Sequence, residues 1–213
     1  LAASCTGIVN PKQRLSVGDA LGDGDAIVML ASSGIHANGV SLARKVAERL
    51  PEGWLTAIDD HGTRYGDALL APTTLYSPVT EALWKAGITP HYSANITGHG
   101  WRKLLRHPKA LTYCITEVPP VPKVLSFIAQ QADHDAQEAY STFNMGAGFA
   151  LFVAAANAQR CVDVARDQGI DAWVAGRNID RFEAGSSLDT GYLSTLGADA
   201  TPVIVDRLPA EMA

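Results

Sequence analysis

Cysteine is scarce, with only Cys5, Cys114 and Cys161 in 213 residues. Their spacing fits no zinc pattern and their odd number gives no disulfide framework. The expectation is a reducing compartment, the cytoplasm. No apolar run approaches the roughly 20 residues of a membrane span, and no secretory signal is visible, so no membrane partner is expected. Positive charge is also short: 17 Lys and Arg stand against 22 Asp and Glu, a net charge of -5. Trp54, Trp84, Trp101 and Trp173 are scattered. Without a basic stripe or a stacking ladder, nucleic acid is excluded as a partner. There is no Walker A loop, because no Gly-Lys-Ser/Thr follows the glycines. No Ser-His-Asp arrangement, paired carboxylates or fixed-period repeat stands out.

What is present is a globular composition, 47% hydrophobic, long enough for one substantial core. The run Ile27–Ala31 reads as a buried strand. Val40, Ala43, Val46, Ala47 and Leu50 then mark one helix face, stopped by Pro51 and Gly53. Val79, Ala82, Leu83 and Ala86 mark a second helix ending at Gly87. Trp101, Leu104 and Leu105 suggest a helix straight after Gly100, and "ALTYCITEV" a strand. Pro119, Pro120 and Pro122 precede a helix with face Val121, Val124, Leu125, Ile128, Ala129 and Ala132, and the next stretch turns helical toward Tyr140. Phe149–Ala154 reads as a strand, Asn157 as the cap of a helix lined by Ala158, Cys161, Val162 and Ala165, and "AWVAGRNI" as a second strand. Strand, helix and strand in this order suggest a split β-α-β unit. One α/β domain with a mixed sheet is the economical architecture.

Three polar, glycine-rich junctions interrupt these elements. The first holds Ser32, Ser33, Gly34, His36, Asn38 and Gly39. Its glycines let backbone approach a ligand, and the helix start beyond offers free amides to an anion. The alternative is an ordinary capped loop with a hydrogen-bonded histidine. The second holds Asn95, Thr97, Gly98, His99 and Gly100, followed by Arg102 and Lys103. Two cations in a first helical turn oppose the macrodipole, a cost more easily borne with an anion nearby; otherwise they point to water. The third holds Thr142, Phe143, Asn144, Met145, Gly146 and Gly148, or is simply a turn feeding a strand. Asp59, Asp60 and His61 offer metal-ligand chemistry without a fixed geometry. Asp133, His134 and Asp135 read as a solvated helix surface.

The junctions also carry a resemblance. "LASSGIHANGVSLARK" at positions 30–45 resembles "GLASSG-H-SNG-SLVRK" of the carboxyl-terminal domain of the aminoimidazole ribonucleotide synthetase family. "LLAPTTLY" at 69–76 resembles its "LL-PTRIY", "ANITGHG" its "HITGGG", and "TFNMGAGFALFV" its "TFNMGIGMVLVV". Order and spacing agree over nearly the whole chain, and the Phe-Asn-Met-Gly core is the most specific element. The resemblance implies an α+β, α/β/α-layered domain with a mixed sheet and a partial ferredoxin-like βαβ topology at 25–213. Residues 1–24 resemble the tail of a preceding ATP-binding domain and its linker; the opening on Leu1 reads as the interior of a longer polypeptide.

By the same resemblance the full protein is a homodimeric enzyme of purine biosynthesis. It cyclises formylglycinamidine ribonucleotide to aminoimidazole ribonucleotide with ATP and Mg2+, both held mainly by the amino-terminal domain. This chain supplies the substrate-binding half and, alone, is expected to be inactive. Carried over by position, Ser32, Ser33, Asn38, Thr97, Gly98, Gly100, Thr142 and Asn144 contact the ribonucleotide or the closing interface. His36 is the one acid–base candidate, and Arg102 and Lys103 are candidate phosphate contacts; no metal ligand is assigned. Asn95, His99 and Thr74 depart from the family's histidine, glycine and arginine. A divergent family member, such as a small-molecule kinase, or a non-catalytic ligand-binding domain remain the alternatives.

Overall fold

The computed structural model describes residues 4–109, 111–180, 192–194 and 203–205. At its centre is β1 (Ala26–Ala31), whose Ile27, Val28, Met29 and Leu30 are wholly buried. A continuous apolar run without alternation is what a strand covered on both faces requires. Beside β1 lie β4 (Ala147–Val153) and β5 (Ala172–Ile179), each antiparallel to it. Helix α6 (Ala158–Asp167) joins β4 to β5, so two parallel strands straddle β1. The same relation recurs between β1 and β2 (Tyr92–Asn95), which straddle β4. Completing the sheet are β3 (Thr112–Ile115), β6 (Tyr192–Ser194) and β7 (Val203–Val205), in the order β2-β4-β1-β5-β3-β7-β6. The pair β3–β7 is parallel and the others antiparallel, so the sheet is mixed.

Alternation along the strands sorts the core into two layers. Ile27, Met29, Tyr113, Ala150 and Phe152 face the layer of α1 (Val40–Arg49), α2 (Tyr65–Leu69), α4 (Lys123–Gln131) and α5 (Ala136–Thr142). Val28, Leu30, Leu151 and Val153 face α6 and α3 (Ser77–Lys85). Each fully buried aliphatic side chain is worth about 1.5–3 kcal/mol, and the helix faces read from sequence pack here except at Val40, which is exposed. The α/β/α layering expected from the sequence is present.

One local expectation is refined and two are corrected. The helix expected after Gly100 is present, as a 3-10 helix, Gly100–Arg106. Trp101 and Leu104 are buried at a spacing of three, the period of that helix. Asn157 makes no capping bond, because the 3-10 turn Ala155–Asn157 already holds it in helical backbone and runs straight into α6. Asp135, read as solvated surface, caps α5 by accepting from the Glu138 amide at 2.8 Å. The helix stop at Gly87 holds, following α3 at φ 72°, and Gly169 follows α6 in the same way at φ 75°.

Residues 4–24 are mostly exposed, with Ile8 94% exposed. Arg14 ties this segment to α3 through Glu81 and lies over the Trp84 ring, and Val17 bridges to Tyr92. Among the described residues no helix is long and apolar enough to cross a membrane, and all three cysteines are free.

Candidate functional site

The carboxyl end of β1 brings the first and third junctions together. Pairing with β4 shifts register between Leu30 and Ala31, and the Ser32 amide then donates to the Gly146 carbonyl at 2.9 Å. Asn144 sits inside this turn, 2% exposed. Its Oδ1 accepts from Ser32 Oγ (2.7 Å) and from the Gly146 amide (3.0 Å), and its Nδ2 donates to the Gly34 carbonyl (2.8 Å). The second junction reaches the same residue, for Trp101 Nε1 donates to the Asn144 carbonyl at 2.8 Å. Asn38 Nδ2 in turn donates to the Thr142 carbonyl at 2.8 Å.

Glycine makes the convergence possible. A Cβ on Gly98 would stand 3.0 Å from Asn38 Oδ1, and one on Gly100 would stand 2.6 Å from the Phe143 carbonyl oxygen. Gly100 is thus the point where the 3-10 helix meets the end of α5. A Cβ on Gly148 would overlap the Tyr76 hydroxyl, which donates to the Ala31 carbonyl at 2.8 Å. Tyr76 was not singled out from sequence as a site residue, although it closes the "LLAPTTLY" motif.

The predicted residues therefore divide by what their side chains have left to offer. Asn144 is buried and bonded to protein groups at both Oδ1 and Nδ2, and it orders the loops; Asn38 ties the first junction to the third, and the Thr142 carbonyl receives that tie. Ser32 is committed to Asn144. Ser33 is exposed, and its hydroxyl donates to the Pro72 carbonyl at 2.5 Å. The Thr97 carbonyl accepts the Gly100 amide at 2.9 Å, while its hydroxyl makes no bond to a described residue. His36 is half-buried, and burial lowers its pKa below the ordinary histidine value. His99 takes φ 75°, a conformation glycine adopts freely.

Arg102, Lys103 and Arg106 form no ion pair with any described residue. Lys103 is 7% exposed, and desolvation followed by the Arg106 charge lowers its pKa. The 3-10 helix sets Gly100, Lys103 and Arg106 on one face, and the face begins at the junctions.

Asp59 is a turn anchor. Its Oδ1 accepts from the His61 and Thr63 amides at 3.0 and 2.9 Å, and hydrogen bonding from Thr63 holds its carboxyl below the usual carboxylate value. No group of three potential metal ligands comes together among the described residues. A cavity of about 530 Å³, lined by Ala26, Cys114, Ala158, Gly176 and Arg177 among others, lies toward the other end of β1, away from the junctions.

Comparison with known proteins agrees with this geometry. Residues 22–188 match the family "AIR synthase related protein, C-terminal domain". Phosphoribosylformylglycinamidine cyclo-ligase of Methanococcus vannielii is 36% identical over 184 residues, which cover 86% of this chain and 52% of the relative. The enzyme of the same name from Agathobacter rectalis is 33% identical over 185 residues, covering 84% and 53%. Among solved structures, the E. coli hydrogenase maturation protein HypE superposes with a TM-score of 0.50 at 18% identity, covering 77% of this chain and 46% of that one; it shows the shared fold. The chain spans about half the length of the curated relatives it matches. With its family motifs meeting at one end of the sheet and the match running from residue 22 to 188, the chain belongs to the AIR synthase related family, in which it corresponds to the C-terminal domain.

Proposed function

We propose that this chain is the substrate-binding half of an ATP-dependent phosphoribosylformylglycinamidine cyclo-ligase of purine biosynthesis. The observation that carries the reading is the convergence of three motif-bearing junctions on Asn144, in a domain 36% identical to an enzyme of that name. The interleaved β-α-β crossovers, in the order β2-β4-β1-β5, support a ferredoxin-like core beneath the site.

The ribonucleotide lies across the junction end of the sheet. Ser33, His36, Thr97 and the Gly98 backbone supply hydrogen bonds to it. Ser32, Asn38, Gly100, Thr142 and Asn144 hold those groups in place, and Arg102 and Lys103 take the phosphate. Such fixed donors contribute by positioning the reacting amide and nitrogen and by excluding water, the entropic share of catalysis. ATP, when bound, supplies the phosphoryl group that activates the amide oxygen. The described residues offer no cluster fit for Mg2+. An amino-terminal domain is the proposed holder of both, with residues 1–24 as the crossing and a homodimer as the assembly. Leu70 and Leu75, 80% and 74% exposed on either side of Pro72, support a partner surface at the rim of the site.

The departures at Thr74, Asn95 and His99 favour a second reading, a family member acting on a different substrate. Calorimetric titration with formylglycinamidine ribonucleotide separates the two. Saturable binding that weakens in Arg102→Ala supports the cyclo-ligase half. Silence, both from this chain and with an amino-terminal cyclo-ligase domain present, overturns it.

A further inference from the structure

His36 occupies left-handed backbone, φ 57°. Its ring packs where a Cβ on Gly148 would come within 2.8 Å of Cε1, and it tilts against Tyr76 at 6.3 Å between centroids. The Nε2 atom receives the Ser33 amide at 3.1 Å and, at longer range, the Thr74 amide at 3.5 Å. Ser33 Oγ also stands 3.1 Å from Nε2, with its own proton directed to the Pro72 carbonyl. A hydroxyl can rotate, but a backbone N–H cannot turn away. Two fixed donors aimed at Nε2 require a lone pair there, which leaves the single proton of a neutral imidazole on Nδ1. Turning the ring over would face carbon to both donors, so the network fixes orientation as well as tautomer.

We propose that His36 is a neutral hydrogen-bond donor whose Nδ1–H is offered to an oxygen of the ligand bound at the junctions, and not the acid–base group that a loop histidine suggests. The ligand's identity rests on the cyclo-ligase reading; the tautomer does not. Nδ1 makes no bond to any described residue. The ring's surroundings agree: Tyr76 is the titratable group packed against it, no carboxylate or cation perturbs it, and burial alone disfavours the imidazolium. Accepting a proton at Nε2 would set an N–H against two others. The arrangement also accounts for a departure, since the site uses the Thr74 amide, which any residue but proline supplies at that position.

Nitrogen NMR of the histidine-labelled chain reads the tautomer directly. The expected spectrum at pH 7.5 has a protonated Nδ1 and a bare Nε2 for His36, with a protonation midpoint below the ordinary value. An Nε2–H tautomer, or an imidazolium at neutral pH, overturns the proposal. On adding formylglycinamidine ribonucleotide, the Nδ1 signal should move. An unmoved Nδ1 signal overturns the donor role, whether or not heat is released in a parallel calorimetric titration. Absence of heat, both from this chain and with an amino-terminal cyclo-ligase domain present, overturns the ribonucleotide reading and leaves the tautomer result standing. His36→Asn keeps a donor near Nδ1 and tolerates left-handed backbone, so affinity should stay within about threefold. His36→Leu should lose about tenfold, near the upper end for one neutral hydrogen bond. In an assembled enzyme, a large fall in kcat for His36→Asn at unchanged KM would restore the acid–base role and overturn the donor one.

Discussion

The Nδ2 group of Asn144 donates to the carbonyl of Gly34, 110 positions earlier in the chain, at 2.8 Å. The bond fastens the loop after β1 to the turn before β4. Asn144→Ala removes it and also strands the Gly146 amide and the Ser32 hydroxyl. A buried group left unpaired costs about 1–3 kcal/mol. With partial relaxation, the variant should lose about 3 kcal/mol in urea unfolding, by a lower midpoint at unchanged slope. A loss below about 1 kcal/mol would show that the turn holds without its asparagine.

Gly148 makes a second, independent test of the packing. Gly148→Ala drives a methyl into the Tyr76 hydroxyl and toward the His36 ring. Overpacking of this kind costs about 1–3 kcal/mol. Tyr76→Phe removes the atom in the way and leaves the Ala31 carbonyl without its donor. The double variant should therefore be more stable than the sum of the two single losses predicts, with a coupling of about 1 kcal/mol. Strict additivity would mean that the two positions do not meet.

Much of this frame was legible along the chain, and the failures have physical causes. The apolar run of β1 and the faces of α1 and α6 follow from period and burial, which adjacent residues reveal. A helix after Gly100 is legible from Trp101, Leu104 and Leu105, but its 3-10 period is not, since only Trp101 and Leu104 lie three apart while Leu105 fits the α spacing of four. Asn157 has a capping residue's chemistry, but the turn before it had already fixed its backbone. Asp135 and Glu138 carried the Asp-x-x-Glu signal of a capped helix start, and the charge pattern around them obscured it. The role of Asn144 could not be read at all, since Ser32 and Gly34, which its side chain joins, lie more than 100 positions away and Trp101 lies 43 away. Motif likeness marked the residue, and the fold shows that it orders the loops.

His99→Gly should stabilise the protein. The residue sits at φ 75° with its side chain exposed, and left-handed backbone costs a residue bearing a Cβ about 1–2 kcal/mol. Part of that is returned by the greater freedom of glycine in the unfolded chain, so a gain of about 0.5–1 kcal/mol is expected in thermal or urea unfolding. Ribonucleotide affinity should not change. A fall in affinity would assign the exposed imidazole to the ligand.

The lowered pKa of His36 has a consequence for stability against pH. In the unfolded chain the residue titrates near 6.5, and in the folded chain below that. Between the two values the unfolded chain binds more protons, so stability falls as pH drops through this window and is at its full value above it. The profile of His36→Asn should be flatter in the window just below the ordinary histidine value of about 6.5. An unchanged slope there would place the histidine in water.

Three cations fall within the 3-10 helix, and none has an acidic partner among the described residues. Arg102 Nε is buried without a hydrogen bond, and Lys103 keeps its stem in the core. A bound phosphate would neutralise this charge where the helix meets the junctions. Lys103→Met preserves the apolar stem and removes the ammonium. If the lysine holds the ligand's phosphate, affinity should fall about tenfold, as for a charge-assisted bond, and the salt dependence of binding should weaken. Stability should stay the same or rise slightly, because a desolvated ammonium has been removed. The opposite pattern, a loss in unfolding free energy at unchanged affinity, would make Lys103 a packing residue and leave the phosphate to Arg102.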